Sequence, residues 1–240
     1  MYLDESIVIY LLLEGWPFDV EALRDLGKLD EVIILLRHLL YMREGPDAAY
    51  ADAAPQCRFA DWQDLAQCLM RGHISAKDIR LISEGSDHYK IIPPYVVSLI
   101  CGGCDNCVFL LDTKRGTVVW YECPQEVWQN SSWEGVLGFP SGYYEDTDED
   151  EDQDKVEDEK EENDEDSDGE QPDNEEWLGC SKAWVVADFF NLLQNLFRDP
   201  KFVPTDSLNV RDVFTIYPPS FDGVLPMIQE IHCQHGWPDL

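Results

Sequence analysis

The chain has 240 residues, 44% of them apolar, and its 8 Trp, 10 Tyr and 10 Phe suffice to bury a core in one large domain or two small ones. Its formal net charge is −32, and residues 145–176 contribute −19 of it because they hold 21 acidic residues and only two lysines. The sequence lacks the clustered Lys and Arg that nucleic-acid binding requires, and an anionic membrane would repel it, so we expect neither nucleic acid nor a membrane as a partner.

The N-terminus lacks the features of a secretory signal. Asp4 and Glu5 stand where such a signal would carry Lys or Arg, and no apolar run approaches the about 20 residues of a membrane helix. We therefore expect a soluble protein of the cytoplasm, with the nucleus as a further compartment. In a reducing compartment its eight cysteines should be thiols.

Residues 1–90 are predicted to form a helical N-terminal region. Four apolar residues recur at spacings of 4, 3 and 4, which places them on one helix face: Leu29, Ile33, Leu36 and Leu40. Further along, Asp61 has a side chain suited to an N-cap and precedes a second short apolar period that starts at Trp62.

In the middle of the chain, the sequence pattern changes to one typical of β-strands. Residues 108–111 and 117–121 are short β-rich runs joined by five residues that end in Gly116, which predicts a β-hairpin. The run 93–100 is predicted to be a short helix that is entered through proline and stopped by Gly102 and Gly103.

Two helices are predicted after the acidic tract. The first spans 182–197, where apolar residues again follow spacings of 4, 3 and 4, with Ser181 as its candidate cap. The second spans 226–235 and is stopped by Gly236 and Pro238. His232, Cys233 and His235 fall in its last turn, where the helix dipole favours imidazolium, and we prefer that interpretation to a metal site.

The acidic tract, residues 145–176, is predicted to be a disordered insertion because its like charges repel and it has little to bury. Asp164, Asp166, Asp168, Gly169 and Glu175 match the spacing of a calcium loop, but the flanking apolar helices that hold such a loop are missing. We interpret the tract as a contact for a basic partner, with Glu151, Asp164, Asp166 and Asp168 as candidate residues. Ser167 is a candidate site for an acid-directed kinase.

The cysteines at 101, 104 and 107 form the most metal-like motif. Thiols three residues apart around a glycine turn are typical of zinc and iron–sulfur sites. A structural zinc site usually needs a second pair, and Cys123 could serve only if the hairpin folded it back onto Cys101, Cys104 and Cys107. We therefore favour a turn that leads into a strand, and we expect no cofactor.

Catalytic and nucleotide-binding motifs are otherwise missing from the sequence. It has no nucleophile elbow, zinc-protease motif, phosphate loop or dinucleotide fingerprint. We predict a protein that is not an enzyme, and a Cys–His dyad is the one enzymatic alternative left open.

The segment from 92 to 197 resembles the SUKH superfamily, which includes fungal regulators of cell-wall assembly and bacterial toxin-immunity proteins. The resemblance rests on residues before the hairpin, on its two strands and on the helix after the acidic tract: Pro94, Tyr95, Leu99, Gly102, Gly103; Phe109, Leu110, Leu111, Asp112, Gly116, Val118, Trp120; Trp184, Ala187, Phe189, Phe190 and Leu193. The acidic insertion and the Cys-Gly-Gly-Cys turn depart from the family pattern.

The resemblance implies an α+β fold with a central antiparallel sheet packed by helices, and a role in non-enzymatic protein binding. The corresponding domain would comprise 91–144 and 177–240. From their position, Asp112 and Arg115 are expected to be solvent-exposed at the hairpin tip, and Trp128 and Trp133 lie in a polar loop, so these four are candidate partner contacts.

Three functions follow as alternatives. The first is a protein-interaction or regulatory module of SUKH type, with the acidic tract as an auxiliary arm. The second is an acidic, chaperone-like binder of basic proteins that acts through the tract. The third is a cysteine-dependent or zinc-binding protein.

Overall fold

The computed structural model describes residues 8–9, 14–16, 20–42, 51–86, 88–102, 107–130, 175–178, 181–206 and 208–237. Within these ranges every pair of strands is antiparallel, and helices pack on the strands, which confirms the predicted α+β class. Of the acidic tract, only Glu175 and Glu176 belong to the described residues.

A four-stranded antiparallel sheet forms the centre of the fold, in the order β4–β6–β7–β8. Its strands are β4 (Val96–Ser98), β6 (Val108–Asp112), β7 (Thr117–Tyr121) and β8 (Lys182–Val185). The predicted hairpin is confirmed, since β6 and β7 pair with Leu110 opposite Val119. Beyond the acidic tract, β8 joins the free edge of β7 with Trp184 opposite Val118.

The helix predicted at 93–100 is wrong, because this run forms β4 and then β5 (Ile100–Gly102). Val97 pairs with Leu111 of β6. Val96 and Val97 are both fully buried but belong to different hydrophobic cores. A strand achieves this because consecutive side chains point to opposite faces of a sheet, and β-branched valine suits it.

The helix predicted at 182–197 begins four residues late. β8 occupies 182–185, and α6 (Val186–Arg198) follows directly, with Val185 as its N-cap. Ser181 does not cap the helix, because its backbone N–H and its hydroxyl both donate to the carbonyl of Leu178. The periodicity of α6 was visible in the sequence, whereas the strand before it depends on the free edge of β7.

The described part of residues 1–90 contains short strands as well as helices. The helices are α1 (Val20–Arg24), α2 (Asp30–Leu36), α3 (Trp62–Met70) and α4 (Ala76–Glu84). The strands are β1 (Val8–Ile9), β2 (Tyr41–Met42) and β3 (Cys57–Phe59); β1 pairs with β2, and β3 pairs with β5.

Two predictions for this region have different outcomes. The capping role of Asp61 is confirmed, since its carboxylate accepts hydrogen bonds from the backbone N–H groups of Gln63 and Asp64 at 3.0 Å. The helix over Leu29–Leu40 is shorter than predicted: α2 ends at Leu36, and Leu40 lies outside it with 60% of its surface exposed. The chain leaves the helix there to enter β2.

The C-terminal part begins with α5 (Gln125–Asn130) and, after α6, continues with β9 (Phe202–Pro204), β10 (Val210–Asp212) and α7 (Val224–Gln234). β9 and β10 pair with each other. The last predicted helix, 226–235, is confirmed to within two residues. Gly236, with φ +84°, follows it as predicted, since this backbone conformation suits glycine.

Three hydrophobic cores cover the two faces of the sheet and the N-terminal helices. The N-terminal core lies among the first four helices, with Val97 and Cys101 at its border to the sheet. The aromatic core lies between the sheet and α6 and contains Phe109, Trp120, Trp184, Phe189 and Phe202. The Trp177 core covers the opposite sheet face, where Trp177 and Leu178 of a short 3-10 turn (Glu175–Leu178) pack on Leu110 and Val119.

A buried ion pair joins the N-terminal helices to the segment that enters the sheet. Lys28, between α1 and α2, is bonded to the carboxylate of Glu84 at the end of α4, and both side chains are almost fully buried. Arg80 donates to the other oxygen of Glu84 at 2.8 Å and also to the backbone carbonyls of Tyr89 and Ile92. Burial lowers the pKa of Lys28, and the Glu84 carboxylate opposes that shift.

Candidate functional site

Asp112, predicted to be an exposed partner contact, is fully buried at the tip of the hairpin. One carboxylate oxygen accepts hydrogen bonds from the backbone N–H groups of Lys114 and Arg115, at 2.9 and 3.0 Å. The other accepts from the Arg115 guanidinium at 2.8 Å. The expectation of an exposed Asp112 is therefore wrong, because the turn uses this carboxylate to satisfy its own free N–H groups.

The rest of the hairpin tip packs on Tyr95. The hydroxyl of Thr113 donates to the Tyr95 carbonyl at 2.7 Å, and the ammonium group of Lys114 lies 3.9 Å from the centre of the tyrosine ring. The side chain of Arg115 retains 32% of its exposure. A partner could therefore reach the Arg115 guanidinium but not the Asp112 carboxylate.

Trp128 lies in α5, not in the polar loop where it was predicted. It is half-buried against the aromatic core, and the ammonium group of Lys182 lies 4.6 Å from its ring centre. Trp133, Glu151, Asp164, Asp166, Asp168 and Ser167 lie outside the described residues. Their assigned roles stay predictions.

Of the three clustered cysteines of the sequence, Cys101 and Cys107 border different hydrophobic cores. Cys101 is buried at the N-terminal core, where its sulfur accepts a hydrogen bond from Arg58 at 3.4 Å, whereas Cys107 borders the aromatic core. Cys104 lies outside the described residues. In the part of the chain that the structure describes, no group of three His, Cys, Asp or Glu side chains could hold a metal ion.

Sequence reasoning missed Cys57, which is the thiol that contacts Cys107. The contact with the Cys107 thiol raises the pKa of Cys57, and burial raises it further. Cys123 also borders the aromatic core, and burial raises its pKa too. Fifty residues separate Cys57 from Cys107 in sequence, so local spacing could not have revealed the pair.

A polar pocket of about 410 Å³ opens beside Cys57. It is lined by Asp52, Gln56, Cys57, Arg58, Ile82, Cys101 and Gly102. The Asp52 carboxylate accepts a hydrogen bond from the backbone of Val210 at 3.0 Å, and burial raises its pKa. The Arg58 guanidinium donates to the Cys101 sulfur at 3.4 Å, so Asp52 and Arg58 both bond groups of the protein itself.

His232, in the last turn of α7, has an ordinary structural role. The Nε2–H of His232 donates to the carbonyl of Pro204 at 2.9 Å, and its ring lies against Trp237. Trp237 in turn donates to the carbonyl of Phe197 at 2.8 Å. These bonds fix α7 on β9 and on the end of α6.

The apolar surface of α7 is wider than the part of it that packs on the rest of the protein. Leu225 is buried, and Gln229 donates to the carbonyl of Pro200 at 2.8 Å, on the side of the helix that faces β9. Met227 and Ile231, one helical turn apart, are 55% and 45% exposed. The helix is therefore apolar on two adjacent sides and packs with only one.

Two further apolar side chains are exposed just before α7. Phe221, in a 3-10 turn (Pro219–Phe221), is 39% exposed, and Ile216 is 97% exposed. We call Ile216, Phe221, Met227 and Ile231 the C-terminal surface. Its charge has one sign, since Asp222 and Glu230 are present and no Lys or Arg follows Arg211 in the sequence.

The sequence predicted the last helix but not this surface. Its signal was present: Val224, Met227, Ile228 and Ile231 extend the apolar arc of the helix well beyond Leu225. Which part of that arc is covered follows only from the position of β9.

Among the described residues, no helix is both long enough and apolar enough to cross a membrane. Comparison with known proteins gave no match to a family model, to a curated protein or to a solved structure.

Proposed function

We propose that the chain is a non-enzymatic protein-interaction module of SUKH type that binds its partner through the C-terminal surface. The exposed apolar half of α7 carries this proposal. Large apolar side chains beside charged groups on a surface are typical anchors of protein interfaces. The fold supports the proposal as well, because a central antiparallel sheet packed by helices agrees with what the SUKH resemblance implies.

The negative charge of this surface favours a partner with positively charged groups. Asp222 and Glu230 are its charged groups, and the chain as a whole carries −32. A partner segment with apolar side chains flanked by Lys or Arg would bury Met227 and Ile231 and pair with these carboxylates. The acidic tract would act as an auxiliary arm that speeds the encounter of such a partner, and phosphorylation of Ser167 would add to its charge.

The experiment starts from the full chain as bait in an extract of the cells that make it, followed by direct titration of the purified partner. The double variant Met227→Gln/Ile231→Gln should bind at least tenfold more weakly, a loss of about 1.4 kcal/mol or more. The matched control is Ile34→Gln/Leu40→Gln, which changes two comparably exposed apolar residues at the opposite end of the chain and should leave the affinity unchanged.

Deletion of 145–176 separates this proposal from a chaperone-like function of the acidic tract. Under the proposal, the deletion slows association and weakens its salt dependence but preserves most of the affinity. Loss of binding on deletion, with full binding by the Met227/Ile231 variant, would show instead that the tract is the active part.

A further inference from the structure

Two thiols from distant parts of the chain meet at the edge of the aromatic core. Cys57 is the first residue of β3, and Cys107 directly precedes β6. The segment around β5 connects the two strands: Cys57 pairs with Gly102 of β5, and Leu99, just before β5, donates its backbone N–H to the carbonyl of Phe109 of β6 at 2.9 Å. Both cysteines border the same core, and their thiols are hydrogen-bonded to each other.

A strained turn holds the Cys57 thiol in this position. Gln56 has φ +59°, a left-handed conformation that costs free energy for a residue with a side chain. It closes a tight turn in which the Cys57 backbone N–H bonds to the Ala54 carbonyl at 3.0 Å, and the thiol lies 3.5 Å from the same oxygen. The sulfur is therefore fixed against the start of β6.

The two cysteines differ in exposure. Cys57 is buried but lines the polar pocket of about 410 Å³, and Cys107 is half-buried and so the more exposed of the two. Cys101 lies in the same pocket but borders the other core, and its sulfur is bonded to Arg58. Of the two cysteines that line the pocket, Cys57 is therefore the one that contacts a second thiol at the aromatic core.

We infer that Cys57 and Cys107 form a reversible dithiol–disulfide pair that is oxidised by a small-molecule disulfide. The Cys107 thiolate attacks one sulfur of the reagent, and the other half leaves as a thiolate that takes a proton from water. Cys57 then loses its proton to water and attacks the Cys107 sulfur, which expels the second half of the reagent as a thiol. Two protein thiols become one disulfide, and one reagent disulfide becomes two thiols.

The order of the two steps follows from their environments. Cys107 is the more accessible thiol and reacts first. The thiol of Cys107 and burial both raise the pKa of Cys57, so Cys57 supplies little thiolate and reacts second. Its nearness to Cys107 compensates for the small amount of thiolate, because the second step is intramolecular. The bond would tie β3 to β6, and so the N-terminal part of the chain to the central sheet.

The test oxidises the folded full-length protein with oxidised glutathione, blocks the remaining thiols and maps the peptides by mass spectrometry. We expect one new cross-link, between Cys57 and Cys107, with a mass loss of two hydrogen atoms that a dithiol reductant reverses. The oxidised protein should unfold at a higher urea concentration than the reduced protein. A cross-link from Cys107 to Cys123 or Cys104 would overturn the inference, as would the absence of any cross-link.

Single substitutions give the matched controls. Cys57→Ser should stop the reaction at the mixed disulfide of Cys107 with glutathione, because the resolving thiol is missing. Cys123→Ser, which removes the neighbouring thiol at the same core, and Cys233→Ser, which removes an exposed thiol of α7, should both form the Cys57–Cys107 bond as the wild type does. Loss of that bond in Cys123→Ser would contradict the assignment.

Discussion

Asp112 closes the tip of the central hairpin with its side chain, so a charged residue at a turn can serve the turn itself. Its carboxylate bonds the next two free backbone N–H groups and the guanidinium of Arg115. Asp is suited to this because its short side chain reaches the backbone two and three residues ahead. Position at a hairpin tip predicts exposure of the chain, but not of each side chain on it.

We expect Asp112→Ala to lower the free energy of unfolding by about 1–2 kcal/mol, because the turn loses an acceptor for three hydrogen bonds. Asp112→Asn keeps an oxygen for the two backbone N–H groups and loses only the charged partner of Arg115, so its cost should be clearly smaller. Urea denaturation measures both. Equal stability of Asp112→Ala and wild type would contradict the structural role and revive the predicted partner contact.

A short element covers part of the sheet face that α6 does not cover. The 3-10 turn Glu175–Leu178 begins with the last two residues of the acidic tract, and its Trp177 is fully buried in the same core as Leu110 and Val119. α6 covers one face of the sheet, and this turn covers part of the other. A four-residue element thus anchors the C-terminal end of the tract to the core.

We expect Trp177→Ala to cost about 3–5 kcal/mol, the range for truncating a buried tryptophan. Trp177→Phe should cost less, because it retains most of the apolar contact. Trp128→Ala is the matched control, since Trp128 is only half-buried at the edge of the other core and should be less sensitive. The urea midpoints of the three variants rank these effects, and a loss below about 1 kcal/mol for Trp177→Ala would show that the turn does not seal the sheet.

The N-terminal helices and the central sheet are held together by strand pairing and by one buried charge network. β3 pairs with β5, and Glu84 bonds both Lys28 and Arg80. Arg80 also bonds two backbone carbonyls of the segment that leads into β4. Removing one partner of this network would leave an uncompensated buried charge, so single substitutions in it should be costly.

We expect Glu84→Gln to cost about 3–5 kcal/mol, because it leaves the buried ammonium group of Lys28 without its carboxylate. Lys28→Met should cost less, since Glu84 then keeps Arg80. In Glu84→Gln, burial acts unopposed on the already lowered pKa of Lys28, so the unfolded chain binds a proton that the folded chain has lost. The stability of this variant should therefore rise with pH up to the ordinary pKa of lysine. Denaturant unfolding between neutral and alkaline pH measures this, and equal costs for the two variants would contradict the proposed pairing.

The sequence by itself determined the elements whose signals are local. The hairpin follows from two β-rich runs around Gly116, the cap at Asp61 from one side chain, and α6 and α7 from apolar periodicity. The α+β class was implied by family resemblance and agrees with these elements. For the candidate site, the sequence showed which residue types and charges are present, because these can be counted without knowing the fold.

Only the tertiary structure decided what depends on distant neighbours. The run around Val96 and Val97 is a strand because cores lie on both of its sides, and residues 182–185 are a strand because β7 offers a free edge. The contact of Cys57 with Cys107 also depends on distant neighbours. So does the exposure of one apolar side of α7. Strand pairing and the packing of one surface on another bring together residues that are far apart in sequence. Local periodicity therefore cannot predict these contacts.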